Sequence, residues 1–257
     1  MSMYSRQTNG LLQKRENLQW GISCHFGAFM DIEKVISLSG QRPFAHGNHR
    51  EVYLHPEKND RCLKLMTEDW HKCDRWKRAN LVARFLRPKW YYHENEGELH
   101  FSQVLSRRVG PPAWDFVAHA YEMVDSDLGP VLEVDLITDF DGEVSLSLKE
   151  YVWHHGLTPE CEAALEKFWQ QLDKHWVFVE ARPDNLSVQV KVDGRCQIFA
   201  IDGYAFGQLI PLAKWFRGEQ KRVFRKRRRK QDRVLNEILG KRESGESLKS
   251  QGIQRKD

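Results

Sequence analysis

Residues 158 to 203 constrain the fold most. Leu165, Phe168, Trp169, Leu172 and Trp176 recur at i, i+3, i+4, i+7 and i+11, a spacing that gathers them on one face of a helix directed at a core. Thr158-Pro159 predicts its start, with threonine as N-cap and proline at the first helical position, where the missing N–H costs nothing. Leu186, Val188, Val190 and Val192 then alternate, Asp193-Gly194 carries the chemistry of a two-residue hairpin turn, and residues 196–201 return. Asp202-Gly203 closes that hairpin.

Upstream, the period is two rather than 3.6. Residues 35–38, 52–54 and 62–66 read as successive short strands, with His55-Pro56 and Asn59-Asp60 as the turn between the last two. Glu94, Glu98, Leu99, Val104 and Leu105 predict a helix over part of residues 70–108, which Gly110-Pro111-Pro112 ends. Residues 120–123 and 131–138 resemble strands joined by a turn-rich stretch, 125–130, and Asp139-Phe140-Asp141-Gly142 reads as a connector. Strands and helices are segregated, which predicts an α+β fold with a sheet-rich N-terminal lobe and a more helical C-terminal lobe. Residues 1–30 are polar without sustained periodicity and read as a flexible extension.

The 257 residues, 40% hydrophobic, suffice for one large domain or two small ones sharing a core. Five cysteines without a CxxC pair indicate neither a disulfide framework nor a zinc ribbon and suit a reducing cytoplasm. No run approaches the roughly 18 to 20 apolar residues of a membrane helix, and the first thirty residues lack a signal-peptide core, so a soluble cytoplasmic protein is expected. The net charge of +4 conceals an asymmetry: residues 214–257 hold 16 Lys and Arg against 6 Asp and Glu. Within that tail, residues 217–233 suit a solvated basic helix or an anionic partner, either nucleic acid or a membrane surface.

The P-loop, Rossmann, nucleophile-elbow and zincin motifs are absent. His93, His100, His154 and His155 show no recognised ligand spacing and read as structural or surface residues. A scattered set is more informative. Lys64 sits inside an apolar strand, Arg182-Pro183-Asp184-Asn185 lies at a helix-to-strand junction, and Asp202 stands at the far end of the hairpin that follows. Hairpin pairing brings Asn185 and Asp202 close, and oxygen ligands so placed suit Mg²⁺ beside nucleotide phosphates.

These residues and four ordered blocks resemble the protein-kinase-like fold and, within it, the bacterial PhoP regulatory network protein YrbL family. The blocks are His49-Arg50-Glu51-Val52-Tyr53-Leu54-His55-Pro56 with Arg61-Cys62-Leu63-Lys64-Leu65, then Asp139-Phe140-Asp141-Gly142, then Arg182-Pro183-Asp184-Asn185-Leu186, then residues 209–215. The resemblance covers residues 38–215. It implies a kinase-like domain over 31–217, divided into an N-lobe at 31–138 and a C-lobe at 139–217, with a basic helix and tail at 218–257. A nucleotide cleft would lie between the lobes, binding ATP and Mg²⁺. Lys64 matches the strand lysine that holds the α and β phosphates, and Glu98 its helix partner, with Glu94 as the alternative. Asn185 and Asp202 match the two metal ligands, and residues 136–141, including Asp139, the hinge that meets adenine.

The chain also departs from the kinase pattern. Of the glycine-rich loop only Gly47 lines up, with Ala45 and Arg50 where glycines would stand, so charge from His49 and Arg50 would have to replace close backbone approach. Glu180 occupies the position of the catalytic aspartate, its carboxylate one methylene further out, and Arg182 replaces the usual lysine. The resemblance implies a kinase acting on a hydroxyl acceptor. A pseudokinase or regulatory binding module in a PhoP-type bacterial response, its basic tail engaging a partner, is the competing reading.

Overall fold

The computed structural model describes residues 35–47, 49–67, 92–203 and 217–247. The expectations for residues 1–30, 70–91, 209–215 and the last ten residues lie outside them.

The N-terminal sheet is built from hairpins. Strands β1 (Ala45–His46), β2 (Arg50–Leu54), β3 (Arg61–Met66), β4 (Ala120–Ser126) and β5 (Gly129–Asp135) are all antiparallel, in the order β1-β2-β3-β5-β4. The β2–β3 turn forms where His55-Pro56 and Asn59-Asp60 predict it, and His55 Nδ1 accepts the N–H groups of Glu57 and Lys58, both at 3.0 Å. Pairing of Val52 with Lys64 and of Lys64 with Leu132 fixes the register. Alternate residues then face opposite ways. Leu63 packs with Leu38, Tyr53 and Val131 on one face, while Cys62 packs with Ala120, Leu132 and Val134 on the other. Helix α1 (Glu94–Arg108) covers the second face, with Leu99 against that cluster. At the bulge between Ala120 and Glu122, Ser102 of α1 both donates to and accepts from the backbone of Ala120, satisfying groups the ladder leaves open.

Residues 35–38 do not form a strand. They contribute one parallel bridge, Ile36 to Ser126, and are then held by a side chain: the Asp127 carboxylate accepts the Leu38 N–H at 2.7 Å and the Ser39 N–H at 3.1 Å. Hydrogen bonds from Ser39 and Leu38 hold that carboxyl down at about 2. The β4–β5 turn is tighter than the composition of 125–130 implies, because Ser126 pairs directly with Gly129, whose φ of 112° a side chain rarely allows.

The C-terminal part wraps helices around the strands β6 (Leu146–Ser147), β7 (Leu186–Val190) and β8 (Cys196–Ala200), ordered β6-β7-β8. Helix α2 (Leu148–His155) starts with a reciprocal cap between Ser147 and Glu150. Helix α3 (Pro159–His175) starts where predicted, with Thr158 Oγ1 accepting the Cys161 N–H at 3.3 Å. Leu165, Phe168, Trp169 and Leu172 are buried on one face, each contributing about 1.5–3 kcal/mol of apolar transfer. Trp176, expected on that stripe, lies beyond the helix. It adopts φ 55°, and the bonds Val177 N–H to Leu172 O and Trp176 N–H to Asp173 O end α3 in a Schellman closure usually made by glycine. Arg108 of α1 donates to the freed carbonyls of His175 and Trp176.

The hairpin turn is also longer than the two residues predicted. Gly194 N–H bonds Lys191 O, Lys191 N–H bonds Arg195 O, and Val192, expected to alternate on the strand, is 84% exposed at the tip. The Asp193 carboxylate accepts the Arg195 N–H at 3.1 Å, a local bond that favours the wider turn.

Helix α4 (Arg217–Glu243) carries twelve Lys and Arg against four acids, yet buries Phe224, Gln231, Leu235 and Ile238 in the C-terminal core. Gln231 accepts the Trp169 indole N–H at 2.8 Å and donates to Ala181 O at 3.0 Å. A narrow apolar stripe thus docks a helix whose remaining surface is basic. No helix among the described residues is long and apolar enough to cross a membrane.

Candidate functional site

The inward face of β3 delivers Lys64 to the floor of the sheet, and α1 delivers Glu98. Lys64 Nζ lies 2.6 Å from Glu98 Oε1, with side chains 8% and 3% exposed. Glu98 takes this role rather than Glu94, whose carboxylate sits 3.8 Å from Arg50 Nε. Lys64 Nζ also donates to the carbonyl of Ile201 at 2.7 Å, the residue immediately before Asp202.

Arg50, at the start of β2, pairs in register with Met66 and therefore faces the same way as Lys64. Its Nη1 lies 2.5 Å from Glu98 Oε2 and its Nη2 contacts the Asp202 carboxylate. Arg50, Lys64, Glu98 and Asp202, from β2, β3, α1 and the segment after β8, thus form one cluster of paired charges, with Glu94 at its edge. Partial burial would raise the Asp202 carboxyl, but the charges of Arg50 and Lys64 outweigh it and hold the group down at about 2. Asp202 and Glu98 in turn hold the Arg50 guanidinium charged despite its burial. The Asp202 side chain is 46% exposed, so the cluster opens to solvent at this carboxylate.

Asn185 ends a 3₁₀ turn, Pro183–Asn185, that leads into β7. Its carbonyl accepts the Ile201 N–H at 3.0 Å, which sets Asn185 beside Asp202, and its Nδ2 donates to Glu180 O at 3.0 Å. Glu180 N–H in turn bonds Gly203 O at 2.6 Å. Gly203 has φ 74°, and a Cβ there would approach Glu180 O to 2.9 Å and collide with the Asn185 amide. Three sequence-distant residues are thereby locked through backbone groups.

The other expected residues are placed as follows. The Glu180 carboxylate is half-exposed and faces Lys230 Nζ of α4 at 3.4 Å. Arg182 forks onto Asp184 at 3.1 and 2.8 Å. Gly47 is exposed, and its N–H bonds Arg50 O at 2.8 Å, closing the turn between β1 and β2. Asp139 uses its carboxylate within the connector, accepting Ser145 Oγ at 2.5 Å and the Val190 N–H at 2.9 Å.

Sequence reasoning gave Arg50 no contact with Asp202, and it read Arg227 and Lys230 only as part of the basic stretch 217–233, with no contact to Val179 or Glu180. The Arg50 signal was available: the predicted β2–β3 hairpin puts Arg50 and Lys64 on one face. The helix-to-loop contacts of α4 carry no such local signal.

The donors suit a small hard cation. Asn185, with its Nδ2 fixed on Glu180, offers Oδ1, and Asp202 offers a carboxylate, a set that matches Mg²⁺ retaining water and phosphate ligands. Among the described residues no group of three or more His, Cys, Asp or Glu could hold a metal. Asp202 Oδ2 is taken by Arg50 and Oδ1 accepts the Gly203 N–H at 2.5 Å.

Fold and site together define a mixed α+β protein in which a five-stranded sheet and a helical part meet at a cluster of paired charges. The chain belongs to the PhoP regulatory network protein YrbL family, whose profile matches residues 36–241 and so extends through most of α4. YrbL of Escherichia coli (strain K12) is 29% identical over 186 residues, which is 70% of this chain and 79% of that protein. YrbL of Shigella flexneri matches to the same extent.

Proposed function

We propose that this protein has a kinase-like two-lobed fold, binds MgATP between the lobes and transfers the γ-phosphoryl group to a hydroxyl acceptor. In this reading residues 31–138 are the N-lobe, 139–217 the C-lobe and 218–257 a basic segment. The observation that carries it is the convergence of the Lys64–Glu98 pair with Asp202 and Asn185. A buried lysine paired with a helix glutamate beside an aspartate is the arrangement by which protein kinases hold phosphates and metal, and this supports the reading.

Mg²⁺, when bound, would neutralise phosphate charge, and Asn185 and Asp202 are the residues that would hold it. Lys64 holds the α and β phosphates, oriented by Glu98. Glu180 accepts the proton of the acceptor hydroxyl as its oxygen bonds to the γ-phosphorus and the bond to ADP breaks. Arg182 offsets charge on the transferring group. Calorimetric titration with ATP, with and without Mg²⁺, tests the site. Binding that needs Mg²⁺ and is lost in Lys64→Ala and Asp202→Ala is expected; absence of binding in the wild type overturns the reading.

A second reading is a regulatory binding module in a PhoP-type response, with the basic helix engaging an anionic partner. The ion pair between Arg50 and Asp202 favours it, because a metal aspartate held by an internal guanidinium resists loading. ATP turnover abolished by Glu180→Gln decides for the kinase. Nucleotide binding without turnover decides for the module.

A further inference from the structure

Residues 180–183 and α4 line a cleft of about 160 Å³ that includes none of the Lys64 cluster. We propose that this cleft binds a phosphate group carried by the molecule that accepts the phosphoryl group, an assignment that rests on the kinase reading above.

Arg227, Lys230, Gln231 and Val234 follow the i, i+3, i+4, i+7 spacing and line the cleft from one face of α4. Gln231 is buried and bonded at both ends of its amide, so it fixes the rotation of the helix here. Arg227 is fixed as well. Its Nη1 donates to Val179 O at 2.6 Å, and its guanidinium lies 5.7 Å over the Phe178 ring, which stacks on Phe224. Burial lowers the Arg227 pKa and only the Glu180 charge opposes it, so the guanidinium is removed from water without a full counter-charge.

The charges in the cleft do not balance. Arg182 lines it too, but its fork is closed on Asp184. Among the described lining residues Glu180 therefore stands alone against Arg227 and Lys230, and Lys230 is 64% exposed. A cavity wall with an excess of cations, one of them pinned, suits an incoming anion. A guanidinium beside an ammonium supplies the donors that phosphate oxygens take, and the excess of one positive charge over Glu180 matches a singly charged phosphate. The cleft has room for a phosphate head.

The test is a ³¹P NMR and calorimetric titration of the full chain with inorganic phosphate and with glycerol 3-phosphate, at constant ionic strength in chloride and without nucleotide. Saturable binding is expected, weakened about tenfold or more in Lys230→Gln and further in Arg227→Gln. Arg225→Gln with Arg229→Gln, on α4 but outside the cleft, is expected to leave it unchanged. Because Lys230 is largely exposed, its variant decides the matter even where Arg227→Gln fails to fold. Absence of saturable binding, equal weakening in the Arg225 and Arg229 variant, or equal affinity for acetate overturns the proposal. Phosphate binding in a chain that does not bind MgATP leaves a phosphate site but overturns its assignment to an acceptor, so the two readings fail separately.

Discussion

Strand β3 carries two charged networks on its opposite faces, and they differ in what they join. On one face Glu133 of β5, 4% exposed, takes Lys58 Nζ at 2.7 and 2.8 Å, with Arg61 Nε at 3.6 Å and His55 Nε2 at 3.8 Å. Arg61 also lies 3.9 Å over the ring of Tyr121, whose hydroxyl donates to Asp135 at 2.7 Å. Every member comes from the same sheet or its turn. On the other face Lys64 reaches α1 and the segment after β8, and Arg50 spans the same gap. Buried charge by itself therefore does not mark a site, since both networks have it. What distinguishes the second is that separate elements meet there around a carboxylate that solvent can reach. The first network fastens a hairpin; the second holds the sheet and the helical part at a defined separation.

The largest separation between the networks is expected from Lys64→Ala compared with Lys58→Ala. The first removes a buried partner of Glu98 and should cost about 3 kcal/mol in urea unfolding, the low end for a broken buried pair because Arg50 remains. It should also weaken MgATP binding by about a hundredfold, whereas Lys58→Ala, whose ammonium is half-exposed, should cost about 1 kcal/mol and leave MgATP binding unchanged. Equal loss of nucleotide affinity in both would erase the distinction. Next in size, Gly203→Ala should cost roughly 2–3 kcal/mol, because its φ of 74° and the nearby Glu180 carbonyl both resist a Cβ. Thermal unfolding measures that cost, and Asn185→Ala in the same background should relieve part of it.

A smaller effect is expected from Arg50→Ala. Freed of its guanidinium partner, the Asp202 carboxyl should rise from about 2 toward 3.8, visible in an NMR titration, and Mn²⁺ binding followed by EPR should tighten several-fold. Weaker Mn²⁺ binding would make Arg50 a support of the site instead of a competitor for it. The pH dependence of stability is the mildest test and separates two windows. Burial lowers the pKa of His55, His119 and His175 below 6.5. The unfolded chain therefore binds protons that the folded chain refuses, so this stability is complete above pH 6.5 and declines as pH falls below it. The Asp202 contribution is present above 3.8 and is lost only as pH falls toward about 2. In Arg50→Ala, where the folded value approaches the unfolded one, the second decline should flatten and the first should stay.

Much of the fold follows from local patterns, and where those patterns fail the reason is tertiary. Helix α3, the β2–β3 hairpin and the β7–β8 pair form where 3.6-residue and two-residue periods indicate, because a helix or hairpin decides its faces over a few residues. The stripe ending at Trp176 misleads, since Arg108 and the Schellman bonds reward an early stop that no period encodes. Residues 35–38 have strand composition, but a strand needs a neighbour over its length and here only Ser126 is offered.

The site divides the same way. Lys64, Glu98, Asn185 and Asp202 were each legible as residues, by type, order and resemblance. That Glu98 and not Glu94 meets Lys64, that Arg50 crosses to Asp202, and that the basic helix closes a cleft beside Glu180 were decided by packing alone. The sequence by itself determined periodicity, caps and turns, because those depend on neighbours along the chain. Tertiary structure decided which charges pair, because Coulomb attraction and desolvation act through space between groups whose separation in sequence says nothing of their distance.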